Sequence, residues 1–169
     1  LLIGADLRNP QIHTYAKVDK NSLGVSNYLS DPSIDWKSLA ENIFNQHANH
    51  KILFSGSIPP NPAHLLANGN FEKLLEEAKA IYDFVIVDLA PTILVTDTLL
   101  VSHLADATIC AVRANHTDKK TIPFSVNLYK TNRLKNMVYV INGIDTNKGS
   151  TYSYNYGYNY GYDYGYKES

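Results

Sequence analysis

Cysteine and long apolar runs are what this sequence has least of. Cys110 is the single cysteine among 169 residues, so the chain cannot form an internal disulfide. That usage fits a reducing compartment, and its place within the apolar run Ile109–Val112 predicts a buried core thiol. No apolar stretch approaches the roughly 20 residues that a membrane-spanning helix needs, and no signal peptide is recognisable. These absences exclude a disulfide-stapled fold and predict a core held by apolar packing alone.

The sequence also lacks an excess of positive or negative charge. Lysine and arginine number 15 against 16 aspartates and glutamates, which gives a net charge of −1 and predicts no broad nucleic-acid footprint. A hydrophobic content of 44% and a length of 169 residues suit one globular domain with a tail. We expect residues 1–150 to form that domain and residues 151–169 the tail. The sequence has no initiator methionine and opens on the apolar run Leu1–Ala5, so we expect a fragment of a longer chain.

Two short apolar runs each end on an aspartate. Phe84–Val87 precedes Asp88, and Leu1–Ala5 precedes Asp6. Runs this short predict strands buried on both faces, as in a parallel sheet covered by helices. Such sheets bind ligands beyond the carboxyl ends of their strands, so Asp6 and Asp88 are candidates for one site if the strands are neighbours. An aspartate that only caps the following turn is the alternative interpretation.

Strand and helix patterns alternate along the rest of the chain. The helix at 71–82 is well defined because its apolar residues recur at i, i+3, i+4 and i+7. Residues 11–22 are polar and predict no regular element. The alternation predicts an α/β fold with a mainly parallel, doubly wound sheet. The further predicted strands are 51–55, 108–113 and 137–142, and the further helices are 23–29, one from 34 onward, 63–67, 97–104 and 118–134.

Two strand-end carboxylates suit a hard divalent cation. Mg²⁺ is usually held by one or two carboxylates, several waters and the phosphates of a nucleotide. An aspartate after an apolar strand is also how P-loop enzymes present their Walker B acid. The matching phosphate loop, Gly-x-x-x-x-Gly-Lys-Ser/Thr, is absent; the nearest match, Lys148-Gly149-Ser150, lacks the first glycine and does not begin a helix. Arg8 and Arg113 each follow a predicted strand, where either side chain could reach a bound anion.

The C-terminal segment differs from the rest in composition. Between its tyrosines stand only serine, asparagine, glycine and aspartate, so a strand would be weak and we expect disorder, or a strand formed only on pairing. Three interpretations stay open: a cluster of phosphoacceptors, an adhesive aromatic segment, or an unstructured terminus. In the first, each phosphate would add about −1.5 to −2 charge to the segment. The tyrosines at every second position are Tyr152, Tyr154, Tyr156, Tyr158, Tyr160, Tyr162, Tyr164 and Tyr166.

Several of these sequence motifs together resemble those of the bacterial tyrosine kinases of capsular and exopolysaccharide synthesis. Leu1–Pro10 resembles their Walker A′ motif, Asp83–Asp88 their Walker B motif, and Ser57–Pro62 the loop between the two. Val95–Asp97 and Val140–Gly143 also occupy the expected places, and the tyrosine-rich end is the family's other signature. The resemblance implies a P-loop NTPase-like fold of the MinD and ParA kind. It also implies an ATP-dependent tyrosine kinase that phosphorylates its own tail.

The resemblance further implies roles for single residues and for partners. Asp6 and Asp88 would organise Mg²⁺ and the transferring phosphate, with Arg8 as a third catalytic residue, while Arg113 and Asn142 would contact the ATP. The protein would form a ring with copies of itself and couple to a membrane polysaccharide co-polymerase in the same or a partner chain. It would work at the cytoplasmic face of the plasma membrane, with this stretch itself soluble and no nucleic acid bound.

The sequence departs from the family pattern at three places. The A′ motif commonly has a second acid two residues before Asp6, where this chain has Gly4. After Asp88 the usual Thr-Pro-Pro is Leu89-Ala90-Pro91. The phosphate loop and the region before it are missing, so we expect weak or no ATP binding by this stretch alone. A non-catalytic paralogue that keeps scaffold and tail, or a MinD- or ParA-like ATPase, therefore stays open as an alternative.

Overall fold

The secondary structure comes from a computed structural model that describes residues 1–19, 22–43, 47, 49–92 and 96–145. The predicted alternation of strands and helices is confirmed there. No helix of this described part is both long and apolar enough to cross a bilayer. The strands are β1 (Leu2–Gly4), β2 (Ile52–Leu53), β3 (Ile86–Asp88), β4 (Thr108–Arg113) and β5 (Met137–Asn142). The helices are α1 (Ile12–Ala16), α2 (Val25–Ser30), α3 (Trp36–Leu39), α4 (Pro62–Ala67), α5 (Asn70–Lys79), α6 (Asp97–Val101) and α7 (Ile122–Lys130), with 3₁₀ turns at Ser102–Leu104 and Lys119–Thr121.

The strands form two parallel sheets. β1 lies between β2 and β3, so that Ile3 stands opposite Leu53 on one side and Val87 on the other. β4 pairs with β5 from Thr108 opposite Met137 to Arg113 opposite Asn142. Within the described ranges the two sheets are not joined, which differs from the single doubly wound sheet that the alternation predicts. The parallel α/β class is confirmed, and β1 and β3 are neighbours as the shared site requires.

The core lies between the first sheet and the helices α2, α4 and α5. Ile3 and Leu53 of the sheet are fully buried, and α5 turns Phe71, Leu74, Leu75 and Ala78 inward as its periodicity predicts. Trp36 of α3 is also buried, and its indole N–H donates to the Glu77 carboxylate at 3.0 Å. Because this packing surrounds β1, the strand end that precedes Asp6 lies in the best-buried part of the molecule.

Three predictions about burial and local structure were wrong. Phe84, just before β3, and Ile86 within it are 80% and 60% exposed, because only the alternate residues Val85 and Val87 pack against the core. Cys110 is half-buried rather than a core thiol, since β4 alternates between half-buried and exposed positions. The polar segment 11–22 contains the helix α1, whose residues are not buried and therefore leave no apolar pattern.

The ends of two helices also differ from prediction. α2 begins at Val25 rather than at residue 23, and it follows Gly24, where a Cβ would lie 2.2 Å from the Phe54 carbonyl oxygen. α5 begins at Asn70 itself after Gly69, whose φ of +85° favours glycine. The close approach at Gly24 matters for the site, since it fixes α2 against the loop that follows β2.

Candidate active site

β1 and β3 bring Asp6 and Asp88 to one edge of the first sheet. Gly4 stands opposite Asp88 in register, and the Ala5 N–H donates to the Asp88 carbonyl at 2.7 Å. Partial burial raises the pKa of the Asp88 carboxyl group, and the negative charge of Asp6 raises that pKa further. The two carboxylates therefore lie near enough to repel each other, as their strand-end positions predict.

A tight turn after β1 orients the Asp6 carboxylate. Its Oδ1 accepts the backbone N–H groups of Arg8 at 3.0 Å and of Asn9 at 2.9 Å. Aspartate side chains commonly stabilise turns in this way. Oδ2 takes no part in the turn, so the carboxylate has an oxygen left for a ligand.

The Arg8 side chain is held by an acid that the sequence analysis did not assign to the site. Its Nε lies 2.6 Å from Asp97 Oδ2, and its second terminal nitrogen lies 3.0 Å from Asp97 Oδ1. The Asp97 side chain is 5% exposed, whereas that of Arg8 is 45% exposed. The hydrogen bonds that Arg8 donates to this carboxylate, and then the charge of the carboxylate, raise the pKa of Arg8. Arg8 thus ties the turn to α6, and its direct contact with a phosphate stays a prediction.

The next residue of α6 holds the segment that follows β3. The Thr98 hydroxyl donates to the Ala90 carbonyl at 2.5 Å, and both residues are buried. Ala90 lies two residues after Asp88. The sequence pattern identified this point only as the start of a helix. It gave no signal for the contact between Asp97 and Arg8, because 89 residues separate the two partners.

Ser55 fills the space beside Gly4. A Cβ on Gly4 would lie 2.8 Å from Ser55 Oγ and 3.2 Å from the Ser55 backbone nitrogen. Both residues are buried, and Ser55 follows β2 at the same edge of the sheet as Asp6. A side chain at the place where the A′ motif commonly has its second acid would therefore have to displace Ser55. Sequence reasoning missed Ser55, since no motif surrounds it.

Arg113 and Asn142, the predicted ATP contacts, come together at the ends of β4 and β5. They stand opposite each other in register, and Ala114 N–H donates to the Asn142 carbonyl at 2.8 Å. A Cβ on Gly143 would lie 3.2 Å from Arg113 Cγ, so this glycine, with φ of +68°, makes room for the arginine. Both side chains are exposed. Their role toward ATP stays a prediction.

No protein-family model matches the chain. Among curated proteins it is similar to the tyrosine-protein kinase YwqD of Bacillus subtilis (strain 168), at 34% identity over 155 residues that cover 91% of this chain and 63% of that protein. The tyrosine-protein kinase CpsD of Streptococcus agalactiae serotype III (strain NEM316) is 32% identical over 123 residues, or 72% of this chain and 51% of that protein. The solved kinase domain of the Escherichia coli tyrosine kinase ETK matches with a TM-score of 0.78 and 27% identity, covering 93% of this chain and 60% of that one.

The chain belongs to the bacterial tyrosine kinase family. It spans 51% to 63% of the length of these two curated relatives. The parallel α/β architecture is the fold of the family's kinase domains, as the match to the ETK domain shows. The eight predicted phosphoacceptors of the tail lie outside the described residues, as does Val95 of the predicted motif.

The acid pair is compatible with a divalent cation such as Mg²⁺. Among the described residues, the cations of the ion pairs are Arg8, Lys37 and Lys79, and none of them pairs with Asp88. The described part also holds no group of three or more histidine, cysteine, aspartate or glutamate side chains that could cage a metal. Neither Asp6 nor Asp88 forms a salt bridge among the described residues. A pair of carboxylates matches the way Mg²⁺ is bound, through one or two acids, waters and phosphates.

Proposed function

We propose that the protein is an ATP-dependent tyrosine kinase that phosphorylates the tyrosines of its own C-terminal segment. The observation that carries the proposal is the pair Asp6 and Asp88, side by side at the carboxyl ends of adjacent parallel strands. Their mutual repulsion is the condition that a divalent cation relieves. Family membership supports the reaction class, because its members are tyrosine-protein kinases.

In this mechanism Asp6 and Asp88 would hold Mg²⁺. The metal bound to ATP would supply the charge neutralisation that phosphoryl transfer needs. The turn after β1 presents Asp6 with one oxygen already engaged by backbone N–H groups, so the carboxylate is oriented before a ligand arrives. Tyrosine has an ordinary pKa of about 10, and a nearby carboxylate can accept its proton during transfer.

The cellular role follows from the same family. We propose that phosphorylation of the tail regulates the polymerisation and export of a capsular polysaccharide or exopolysaccharide. Copies of the protein would associate in a ring and couple to a membrane co-polymerase at the cytoplasmic face of the membrane. Several phosphates on a nearly neutral tail would make it strongly anionic, and repulsion between tails would then open the ring.

One structural feature favours a second candidate, a non-catalytic paralogue that serves as a scaffold. Ser55 occupies the space over Gly4, so a second acid at that position is missing and could not be added without displacing the serine. If that acid is the base on which the chemistry depends, the chain keeps the fold and the tail without the transfer step. The two candidates differ in one measurable property, the transfer of phosphate from ATP.

The test is phosphate transfer by the complete protein. The protein is incubated with Mg²⁺ and ATP labelled in the γ-phosphate, and the label on tyrosine is quantified. We expect the wild type to incorporate label and Asp88→Asn to lose it. Asp106→Asn is the matched control, because Asp106 is an exposed acid that pairs with Lys79 on the surface.

An unlabelled wild type refutes the kinase and favours the scaffold. Label that persists in Asp88→Asn at the wild-type rate refutes the role of the acid pair. Loss of label in Asp106→Asn as well would show that the assay reports any change of surface charge rather than this site.

A further inference from the structure

The first turn of α6 contacts the two segments that follow β1 and β3. Asp97 binds Arg8 of the turn after β1 through two hydrogen bonds of 2.6 and 3.0 Å. Thr98 binds the Ala90 carbonyl of the segment after β3. These two neighbouring residues are 4% and 8% exposed. The buried residues Asp97 and Thr98 therefore hold two loops that are distant from each other in the sequence.

A buried charge at this point needs an explanation beyond stability. Aspartate is rarely this buried unless it is paired, and a well-packed apolar side chain would often stabilise a fold as well as a buried ion pair. The ion pair fixes the orientation of the Arg8 side chain, because a carboxylate that accepts two N–H groups of one guanidinium holds that guanidinium in one geometry. Arg8 is therefore held in one position relative to α6.

The contacts continue from α6 to the two acids. The backbone N–H of Arg8 donates to Asp6 Oδ1, so fixing Arg8 also fixes the turn that orients the Asp6 carboxylate. On the other side, Thr98 holds the chain two residues after Asp88. The Ala5 N–H bonded to the Asp88 carbonyl joins the two strands directly. α6 thus restrains the loops beyond the last bond of the sheet.

We propose that Asp97 and Thr98 are positioning residues, which hold Asp6 and Asp88 at the separation at which both can bind one divalent cation. The inference rests on the proposed function for the identity of the site. It goes further, because it assigns two residues that touch neither substrate nor metal. Residues that orient metal ligands typically change metal affinity by about 10- to 100-fold when they are replaced.

The experiment compares five variants of the complete protein, among them Thr98→Ser, with the wild type. Asp97→Asn removes the charge at constant shape, and Thr98→Val removes the hydroxyl at nearly constant volume. Asp106→Asn and Thr131→Val are matched controls, since Asp106 pairs with Lys79 and Thr131 contacts Asn127 at the end of α7. Binding of Mn²⁺, which shares the oxygen preference of Mg²⁺, is measured by electron paramagnetic resonance.

Hydrogen exchange of residues 6–10 is measured in parallel, because it reports the order of the turn without metal or nucleotide. We expect Asp97→Asn and Thr98→Val to bind Mn²⁺ about 10- to 100-fold more weakly. Asp97→Asn should also exchange faster at the Arg8 and Asn9 amides, which donate to Asp6. Thr98→Ser, which keeps the hydroxyl, should restore Mn²⁺ affinity to within about twofold of the wild type, and both controls should stay within the same limit.

Several results would overturn the inference. Mn²⁺ affinity within twofold of the wild type in Asp97→Asn and Thr98→Val means that α6 does not position the acids. Faster exchange with unchanged affinity reduces Asp97 to a structural residue, and a wild type that binds no Mn²⁺ overturns the inference together with the metal site. A wild type that binds Mn²⁺ as expected but transfers no phosphate overturns only the proposed function.

Discussion

Replacing Gly4 by alanine would add a methyl group where the structure leaves no space. The new Cβ would lie 2.8 Å from Ser55 Oγ, 3.2 Å from the Ser55 nitrogen and 3.4 Å from Ile12 Cδ1. The hydroxyl can rotate away, but the backbone is restrained because the Ser55 carbonyl accepts the Ser26 N–H at 2.9 Å. Overpacking of a buried position costs about 1–3 kcal/mol. We expect Gly4→Ala to lower the free energy of unfolding by about 2 kcal/mol, near the middle of that range.

Urea denaturation of the complete protein measures this loss. In a Ser55→Ala background the 2.8 Å contact is gone and the 3.2 Å contact stays, so we expect roughly half of the loss to be recovered. Gly69→Ala is the control: its Cβ would meet nothing within 4 Å, and its φ of +85° alone should cost about 1–2 kcal/mol whatever residue 55 is. A Gly4→Ala loss below about 0.5 kcal/mol, or an equal loss in both backgrounds, would refute the packing argument.

Three other predictions concern the acid pair, the core and the thiol. Because the pKa of folded Asp88 is raised, its ionisation destabilises the fold, and stability is lost as pH rises through that pKa. Without Mg²⁺, Asp88→Asn should therefore increase the free energy of unfolding at pH 7. It should have no such effect below about pH 4, the ordinary pKa of aspartate. Urea denaturation at both pH values measures the effect, and an unchanged free energy of unfolding at pH 7 would contradict it. Leu74→Ala in the fully buried face of α5 should cost about 2–5 kcal/mol in the same assay, and a loss below 1 kcal/mol would contradict the assigned core. Burial raises the pKa of the Cys110 thiol, so Ellman's reagent should modify it more slowly than free cysteine at pH 8, and an equal rate would contradict that burial.

Sequence patterns correctly predicted those features that depend only on residues close together in the chain. The i, i+3, i+4, i+7 spacing from Phe71 to Ala78 predicted which face of α5 is buried, because a helix sets those positions by its own geometry. Two apolar runs with an acid at the carboxyl end likewise predicted that Asp6 and Asp88 lie at the same edge of one parallel sheet. The helix predicted at 63–67 begins one residue earlier, at Pro62, because proline suits the first position of a helix.

Contacts between segments that are distant in the chain could not be predicted from the sequence pattern. Asp97 looks like an ordinary acid in the first turn of a helix, and nothing near it indicates that its partner is Arg8. Ser55 has no motif around it, and only the pairing of β1 with β2 places it over Gly4. The apolar run that contains Ile86 predicted a strand correctly but not its exposure, because burial depends on what packs against the strand.

The most direct test of the central claim is to locate phosphate on the tail. The complete protein is incubated with Mg²⁺ and ATP, and the segment Tyr152–Tyr166 is analysed by tandem mass spectrometry beside Asp88→Asn and Asp106→Asn. We predict phosphotyrosine in this segment for the wild type and for Asp106→Asn, and none for Asp88→Asn. Phosphate absent from the tail of the wild type, or equally abundant in Asp88→Asn, would contradict the account.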